Sequence, residues 1–139
     1  EEDLNCFSRV MENHQKCRGG NGKILRYLAD NYLYPATFEN LVYASQLLQA
    51  DAIKYGVEHF RRQRGYCMGS TYWQFNDCWP VASWSSRDYY GRWKALHYVT
   101  KKAYDDILVS PRVKADDAKA HGNRQVAALP GQEDTGAQS

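Results

Sequence analysis

The residues with the clearest chemical potential lie close together in the stretch YWQFNDCWPVASWSS, residues 72–86. Three of the four tryptophans of the chain fall in this stretch, and an Asn-Asp pair stands between the first two of them. Trp73 offers a flat apolar surface, while Gln74, Asn76 and Asp77 offer hydrogen-bond donors and acceptors. Because a pyranose ring has one apolar face and a polar rim, this combination of side chains is typical of a sugar-binding site.

A purely structural interpretation of the same stretch is also open from residue types and spacing alone. In that interpretation Trp73, Trp79 and Trp84 fill a hydrophobic core, since tryptophan is highly buried on average. Asn76 and Asp77 then form a turn ahead of the following proline. Residue types by themselves do not decide between stacking on a ligand and packing in a core.

The remaining reactive side chains predict no metal site and no cofactor. The four cysteines are scattered and form no C-x-x-C pair, which argues against zinc and redox sites and favours free thiols in a reducing, cytoplasmic setting. The four histidines show no ligand spacing, and the GGNG sequence at residues 19–22 lacks the Lys-Ser/Thr ending of a phosphate-binding loop.

Composition and charge exclude further classes of partner. The net charge of +2, from 18 basic and 16 acidic residues, is too balanced to predict binding to nucleic acid or to an anionic membrane. No apolar run approaches the roughly 20 residues that cross a bilayer, and the acidic start EEDLNC is unlike a signal peptide. Aromatic residues make up 14% of the chain, including 11 tyrosines, which suits a surface that stacks on ring-shaped ligands.

Helices, one strand and a long loop are predicted to position the tryptophan-rich stretch. Apolar residues at helical spacing predict four helices: a short one within residues 1–18, one from Lys23 towards Pro35, a long one over about 38–63 capped by Thr37, and one over about 92–107. The segment YCMGSTYW predicts a buried strand over about residues 66–72. Helix, strand, long loop and helix follow each other as in an α/β barrel, whose active sites lie at the strand ends.

The run CMGSTYWQFNDCWPVASWSSRDYYGRWKALHYVTKKAY, residues 67–104, resembles the end of the catalytic barrel of β-mannosidases of glycoside hydrolase family 2. In that family a YWQ-x-ND-x-W strand end leads into SW-S-DY-GRWK-LHY. The segments VMENHQK, GGNGK and YASQLLQADAIKYGVEHFRRQRG also resemble the part between the last two barrel strands, so the resemblance covers about residues 8–110. It implies removal of terminal non-reducing β-D-mannose from β-mannoside oligosaccharides by a retaining mechanism that needs two glutamates and no cofactor.

The resemblance also implies roles for individual residues. Trp73 would form the floor or wall beneath the terminal mannose, and Gln74, Asn76 and Asp77 would give nearby polar support. Trp79 and Trp84 would shape the loop around the ligand.

Both catalytic glutamates of the family lie upstream of the matched region, so we expect no catalytic residue in this chain. Glu1 and Glu2 lack the sequence setting of the family's nucleophile, and the glutamates at 12, 39 and 58 fall on predicted helices. Asp77 is well placed at a strand end, but one acid cannot run a two-carboxylate mechanism. In the following loop, Asp88 is expected in an ion pair or a turn.

The expected fold is therefore α/β: a C-terminal fragment of a (β/α)8 TIM barrel, mostly helical as it stands, over residues 1–107. Residues 108–113 are expected to begin a following β domain or linker, and residues 114–139, which contain no aromatic residue, to form a disordered C-terminal tail. The missing N-terminal part of the barrel and the accessory β domains are the expected partners. Because a lone barrel strand has two unpaired edges, we expect the free chain to aggregate or stay partly molten. Two alternatives remain open: a non-catalytic carbohydrate-binding or interaction module, and an inactive truncated gene product.

Overall fold

The computed structural model describes residues 3–112 and is mostly helical within them. It contains helix α1 (Arg9–His14), helix α2 (Gly20–Asn31), helix α3 (Phe38–Arg62) and helix α4 (Ala95–Ala103). Each of the four predicted helices is thereby confirmed, with α4 shorter at both ends than expected. The disorder predicted for residues 114–139 lies outside the described residues, as do Glu1 and Glu2.

The first two helices begin at local signals in the sequence. The Oγ of Ser8 accepts a hydrogen bond of 3.1 Å from the backbone N–H of Met11 and so caps α1. Helix α2 begins at Gly20, three residues before the predicted start at Lys23. Gly19, at φ +65°, supplies the left-handed residue immediately before α2.

The longest helix, α3, packs against both α2 and α4 and carries half of the buried apolar side chains of the described residues. Thr37 caps α3 as predicted, since its Oγ1 accepts a 3.2 Å hydrogen bond from the N–H of Asn40. The buried apolar side chains are Leu28 on α2; Ala44, Ala50 and Val57 on α3; and Leu96 and Ala103 on α4. This core is small, and many large apolar side chains of the described residues remain exposed.

The carboxyl end of α3 is tied to the carboxyl end of α4 by one arginine. The guanidinium of Arg61 donates hydrogen bonds to the carbonyl oxygens of Ala103 at 2.7 Å, Asp105 at 2.5 Å and Asp106 at 3.3 Å. These carbonyls lie at and beyond the C-terminus of α4, where a cation is favoured by the helix dipole. Arg61 therefore fixes how the two helices meet.

The predicted strand over about residues 66–72 is wrong for this chain, because residues 3–112 contain no strand. Two isolated bridges are present, a parallel one between Asn76 and Arg87 and an antiparallel one between Arg87 and Trp93. A strand is defined by a ladder of hydrogen bonds to a neighbour. No backbone ladder forms over 66–72, so the strand-like composition alone does not produce one. The unpaired strand edges from which we expected aggregation of the free chain are therefore not formed in this segment.

Candidate functional site

The tryptophan-rich stretch is held by backbone hydrogen bonds between three short segments. The N–H of Ser86 donates to the carbonyl of Gln74 at 3.0 Å, and the N–H of Arg87 donates to that of Phe75 at 2.9 Å. The N–H of Lys94 then donates to the carbonyl of Ser86 at 2.9 Å. Residues 74–77, 84–87 and 92–94 thus lie side by side just before α4. The peptide bond between residues 73 and 74 is cis.

A buried carboxylate lies at the centre of these segments. The side chain of Asp77 is 2% exposed, and its oxygens accept hydrogen bonds of 2.5 Å from the hydroxyls of both Ser83 and Ser85. The ammonium of Lys94 lies 3.4 Å from Oδ2 of Asp77 and donates a 2.7 Å hydrogen bond to Ser85. A buried carboxylate is stable in a protein when it is paired and hydrogen-bonded in this way.

The tryptophans differ in exposure, which bears on the choice between packing and binding. Trp73 is 71% exposed and Trp84 is 48% exposed, so neither fills the core of the described residues. The indole of Trp79 is partly buried and stacks on the ring of His14, with the centroids 4.4 Å apart and the planes nearly parallel. Trp73 and Trp84 therefore present aromatic surface, whereas Trp79 is engaged within the chain.

The amino-terminal helices hold the loop that follows Trp79. A ring nitrogen of His14 is hydrogen-bonded to the carbonyl of Pro80, and Nε2 of Gln15 donates to the carbonyl of Ala82 at 3.0 Å. A Cβ on Gly20 would lie 2.5 Å from Cδ of Gln15, so a larger residue at position 20 would displace the end of this glutamine side chain. We did not predict these roles, because the bonded residues are more than 60 positions apart in the sequence.

Two glutamines of α3 bond the other side of this loop and the start of α4. Nε2 of Gln49 donates a 2.8 Å hydrogen bond to the carbonyl of Trp84. Oε1 of Gln46 accepts a 3.2 Å hydrogen bond from the N–H of Ala95 and so satisfies a donor in the first turn of α4. Sequence reasoning missed both residues. Both are polar residues among the apolar residues of α3, and their polarity alone does not identify a hydrogen-bond partner.

A cleft of about 390 Å³ opens beside the buried carboxylate. Its lining residues are Phe75, Asn76, Asp77, Arg87, Asp88, Tyr89 and Gly91. Of the predicted site residues, the cleft thus includes Asn76 and Asp77. Trp73, Gln74, Trp79 and Trp84 do not line it, although Nε2 of Gln74 reaches Oδ1 of Asp77 at 3.4 Å.

The other acid of this region is engaged in an ion pair, as predicted. Oδ2 of Asp88 lies 2.6 Å from Nε of Arg92, and Oδ1 accepts a 2.8 Å hydrogen bond from the N–H of the same residue. Partial burial acts to raise the pKa of Asp88, but the bonds from Arg92 outweigh burial and hold the pKa below its ordinary value.

The remaining reactive groups are isolated from one another. All four cysteines are free thiols, as expected, and burial raises the pKa of the Cys6 thiol. Within residues 3–112, no three His, Cys, Asp or Glu side chains come together as metal ligands would. Among the helices in that range, none combines the length and apolar character of a membrane span.

Comparisons with known proteins connect this geometry to one class of enzyme. The chain is 33% identical over 120 residues to β-mannosidase B of Aspergillus niger, which covers 84% of this chain and 14% of that protein. It is 33% identical over 121 residues to the β-mannosidase of the goat, Capra hircus, which covers 78% of this chain and 14% of the relative. No protein-family model matches the chain.

A solved structure agrees with the sequence relatives. The crystal structure of a β-D-mannosidase from Dictyoglomus thermophilum matches with a TM-score of 0.74 and 41% identity, over 79% of this chain and 14% of that one. The chain is thus related to glycosidases. More narrowly, it is homologous to β-mannosidases over most of its length, which confirms the predicted resemblance. The chain spans about one seventh of the length of these relatives.

Proposed function

We propose that this chain is the C-terminal part of the (β/α)8 catalytic barrel of a retaining β-mannosidase of glycoside hydrolase family 2, and that it carries a mannose-binding segment of that barrel. In this proposal residues 1–107 belong to the barrel and residues 108–113 lead into a following β domain or linker. The parent enzyme hydrolyses terminal non-reducing β-D-mannose from β-mannosides.

The observation that carries the proposal is the exposure of Trp73 on an ordered segment. Its neighbours are fixed, since the hydroxyl of Tyr72 is hydrogen-bonded to Oγ of Ser86 at 3.0 Å and the backbone of Gln74 is bonded to residues 84 and 86. An indole that is 71% exposed on such a segment can stack on the apolar face of a pyranose. Gln74, Asn76 and Asp77 give polar support around it, and Trp79 and Trp84 shape the adjoining loop.

Hydrolysis in the parent needs two carboxylates about 5 to 5.5 Å apart, one as nucleophile and one as acid and base. The acids of the site region in residues 3–112 are already engaged: Asp77 with two serines and a lysine, and Asp88 with Arg92. On the helices, Glu12 accepts from Asn21, and Glu58 accepts from Ser110 and pairs with basic neighbours on α3. The resemblance implies that both catalytic glutamates lie upstream of the matched region, and the engagement of these acids supports assigning them to the N-terminal part of the barrel, outside this chain.

A chimera tests this proposal through activity. Residues 8–110 of this chain would replace the matched segment of the Dictyoglomus thermophilum β-mannosidase, and kcat/KM would be measured on an aryl β-mannoside. We expect an active chimera in which Trp73→Ala lowers kcat/KM by about 2 to 4 kcal/mol equivalent, through lost stacking and positioning.

The matched control is Tyr55→Ala, which removes an aromatic side chain that is also 71% exposed but lies on α3. We expect its kcat/KM to stay close to that of the parent chimera. Equal losses for the two variants, or an unchanged rate for Trp73→Ala, would remove Trp73 from the site.

A further inference from the structure

We propose that Asp77 is a positioning residue whose buried carboxylate aims the indole of Trp84 at the ligand. The inference concerns the loop 83–85, and its ligand-binding part rests on the proposed function. In this role Asp77 acts through the hydroxyl groups of the loop and needs no contact with the sugar.

One carboxylate fixes the residues on both sides of Trp84. Ser83 donates to Oδ1 of Asp77 and Ser85 donates to Oδ2, each at 2.5 Å. The N–H of Ser85 is also bonded to Oγ of Ser83 at 3.2 Å, which closes the turn around the intervening tryptophan. The two oxygens of a single side chain therefore determine the positions of the residues before and after Trp84.

The carbonyl of Trp84 is fixed as well. It accepts a 2.8 Å hydrogen bond from Nε2 of Gln49 and a 3.3 Å one from the N–H of Gln74. While this backbone is restrained, the side chain is 48% exposed. An aromatic group with a fixed backbone and an open face loses little conformational entropy when a ligand stacks on it, which is the arrangement expected of a preorganised binding surface.

The cation beside the carboxylate completes the cluster. Lys94, whose side chain is 13% exposed, donates to Ser85 at 2.7 Å and lies 3.4 Å from Oδ2 of Asp77. Ser85 thus accepts from the lysine and donates to the carboxylate, so its hydroxyl has one defined orientation. Because Lys94 directly precedes α4, the cluster links the loop of Trp84 to the helical core.

The test uses the full chain labelled with 5-fluorotryptophan, whose four indoles give four ¹⁹F resonances that single Trp→Phe variants assign. We expect Asp77→Asn to shift the Trp84 resonance towards its position in the urea-unfolded chain. The Trp79 resonance should stay in place, since that indole is held by His14. The matched control, Asp88→Asn, removes a carboxylate of the next loop that is bonded to Arg92, and it should leave the Trp84 resonance unmoved.

If Asp77→Asn unfolds the whole chain, the milder variant Ser85→Ala provides the test instead. It removes one donor to the carboxylate, and a shift of Trp84 with Trp79 unmoved supports the inference. The inference is overturned if the Trp84 resonance shifts in neither variant. It is also overturned if this resonance already lies at its unfolded position in the unsubstituted chain.

Titration with methyl β-D-mannoside separates this inference from the proposed function. We expect the sugar to shift the Trp73 and Trp84 resonances of the unsubstituted chain, and the shift of Trp84 to be lost in Asp77→Asn. If the sugar moves no resonance, the proposed binding function of this chain fails, while the response of Trp84 to Asp77→Asn still decides the positioning role.

Discussion

The buried pair of Asp77 and Lys94 should be strongly coupled in its contribution to stability. Lys94→Met removes the cation and keeps an unbranched chain, which leaves a carboxylate that is 2% exposed without its counter-charge. Breaking a buried pair in this way costs about 3 to 5 kcal/mol. Here two serines still donate to the carboxylate, and the 3.4 Å separation exceeds that of a short charge-assisted bond. We therefore expect a loss of about 2 to 3 kcal/mol from the free energy of unfolding.

A double-mutant cycle measures the coupling directly. The free energy of unfolding in urea, followed by circular dichroism, would be compared for the unsubstituted chain, Asp77→Asn, Lys94→Met and the double variant. We expect a coupling energy of about 1 to 2 kcal/mol, because each single change leaves the other partner buried. The control cycle uses Asp88 and Arg92, whose arginine side chain is 75% exposed, and should give less than about 1 kcal/mol. Equal coupling in the two cycles would refute the idea that burial distinguishes the pairs.

Three further changes test how the site is supported. Arg61→Met should lower the free energy of unfolding in urea by about 2 kcal/mol, because its guanidinium bonds carbonyl oxygens at and after the end of α4. The control Arg64→Met removes an exposed arginine and should lower it by less than about 0.5 kcal/mol. Leu96→Ala should cost about 2 to 5 kcal/mol, because this leucine is 0% exposed, and a smaller loss would show that α4 is loosely packed. The Asp88 pKa is lower in the folded chain, so its stabilising effect is complete above the ordinary value of 3.8 and is lost as the pH falls through the lower, folded value. The free energy of unfolding in urea should therefore fall more steeply with decreasing pH in the unsubstituted chain than in Asp88→Asn. Equal slopes for the two chains would contradict this assignment.

The helices were predictable because their signals are local. The cap at Thr37 lies next to the helix it starts, and apolar spacing alone is enough to indicate α3 and α4. The start of α2 was placed three residues too late, because glycine has a low helix propensity and yet Gly20 and Gly22 lie inside the helix. The strand over 66–72 failed for a different physical reason: a strand needs a hydrogen-bonded neighbour, and residue types do not supply one.

The tryptophan-rich stretch could be singled out from the sequence, but its internal contacts could not. The density of tryptophans and the resemblance indicated residues 73–84, and the exposure of Trp73 and Trp84 agrees with surface roles for both. The buried cluster around Asp77 was missed because Lys94 lies 17 positions away and serines are common in loops. The same holds for Gln49, which is 35 positions from Trp84, and for His14, which is 66 positions from Pro80.

The most direct test of the central claim is a crystal structure of the chimera with a bound non-hydrolysable β-mannoside analogue. We expect the terminal mannose ring to lie against the indole of Trp73, with carbon atoms of the two rings within about 4.5 Å. Two glutamates of the Dictyoglomus part should flank the anomeric carbon. A sugar bound elsewhere, for instance in the cleft beside Arg87 and Asp88, or a Trp73 indole packed against protein on both faces, would contradict the account.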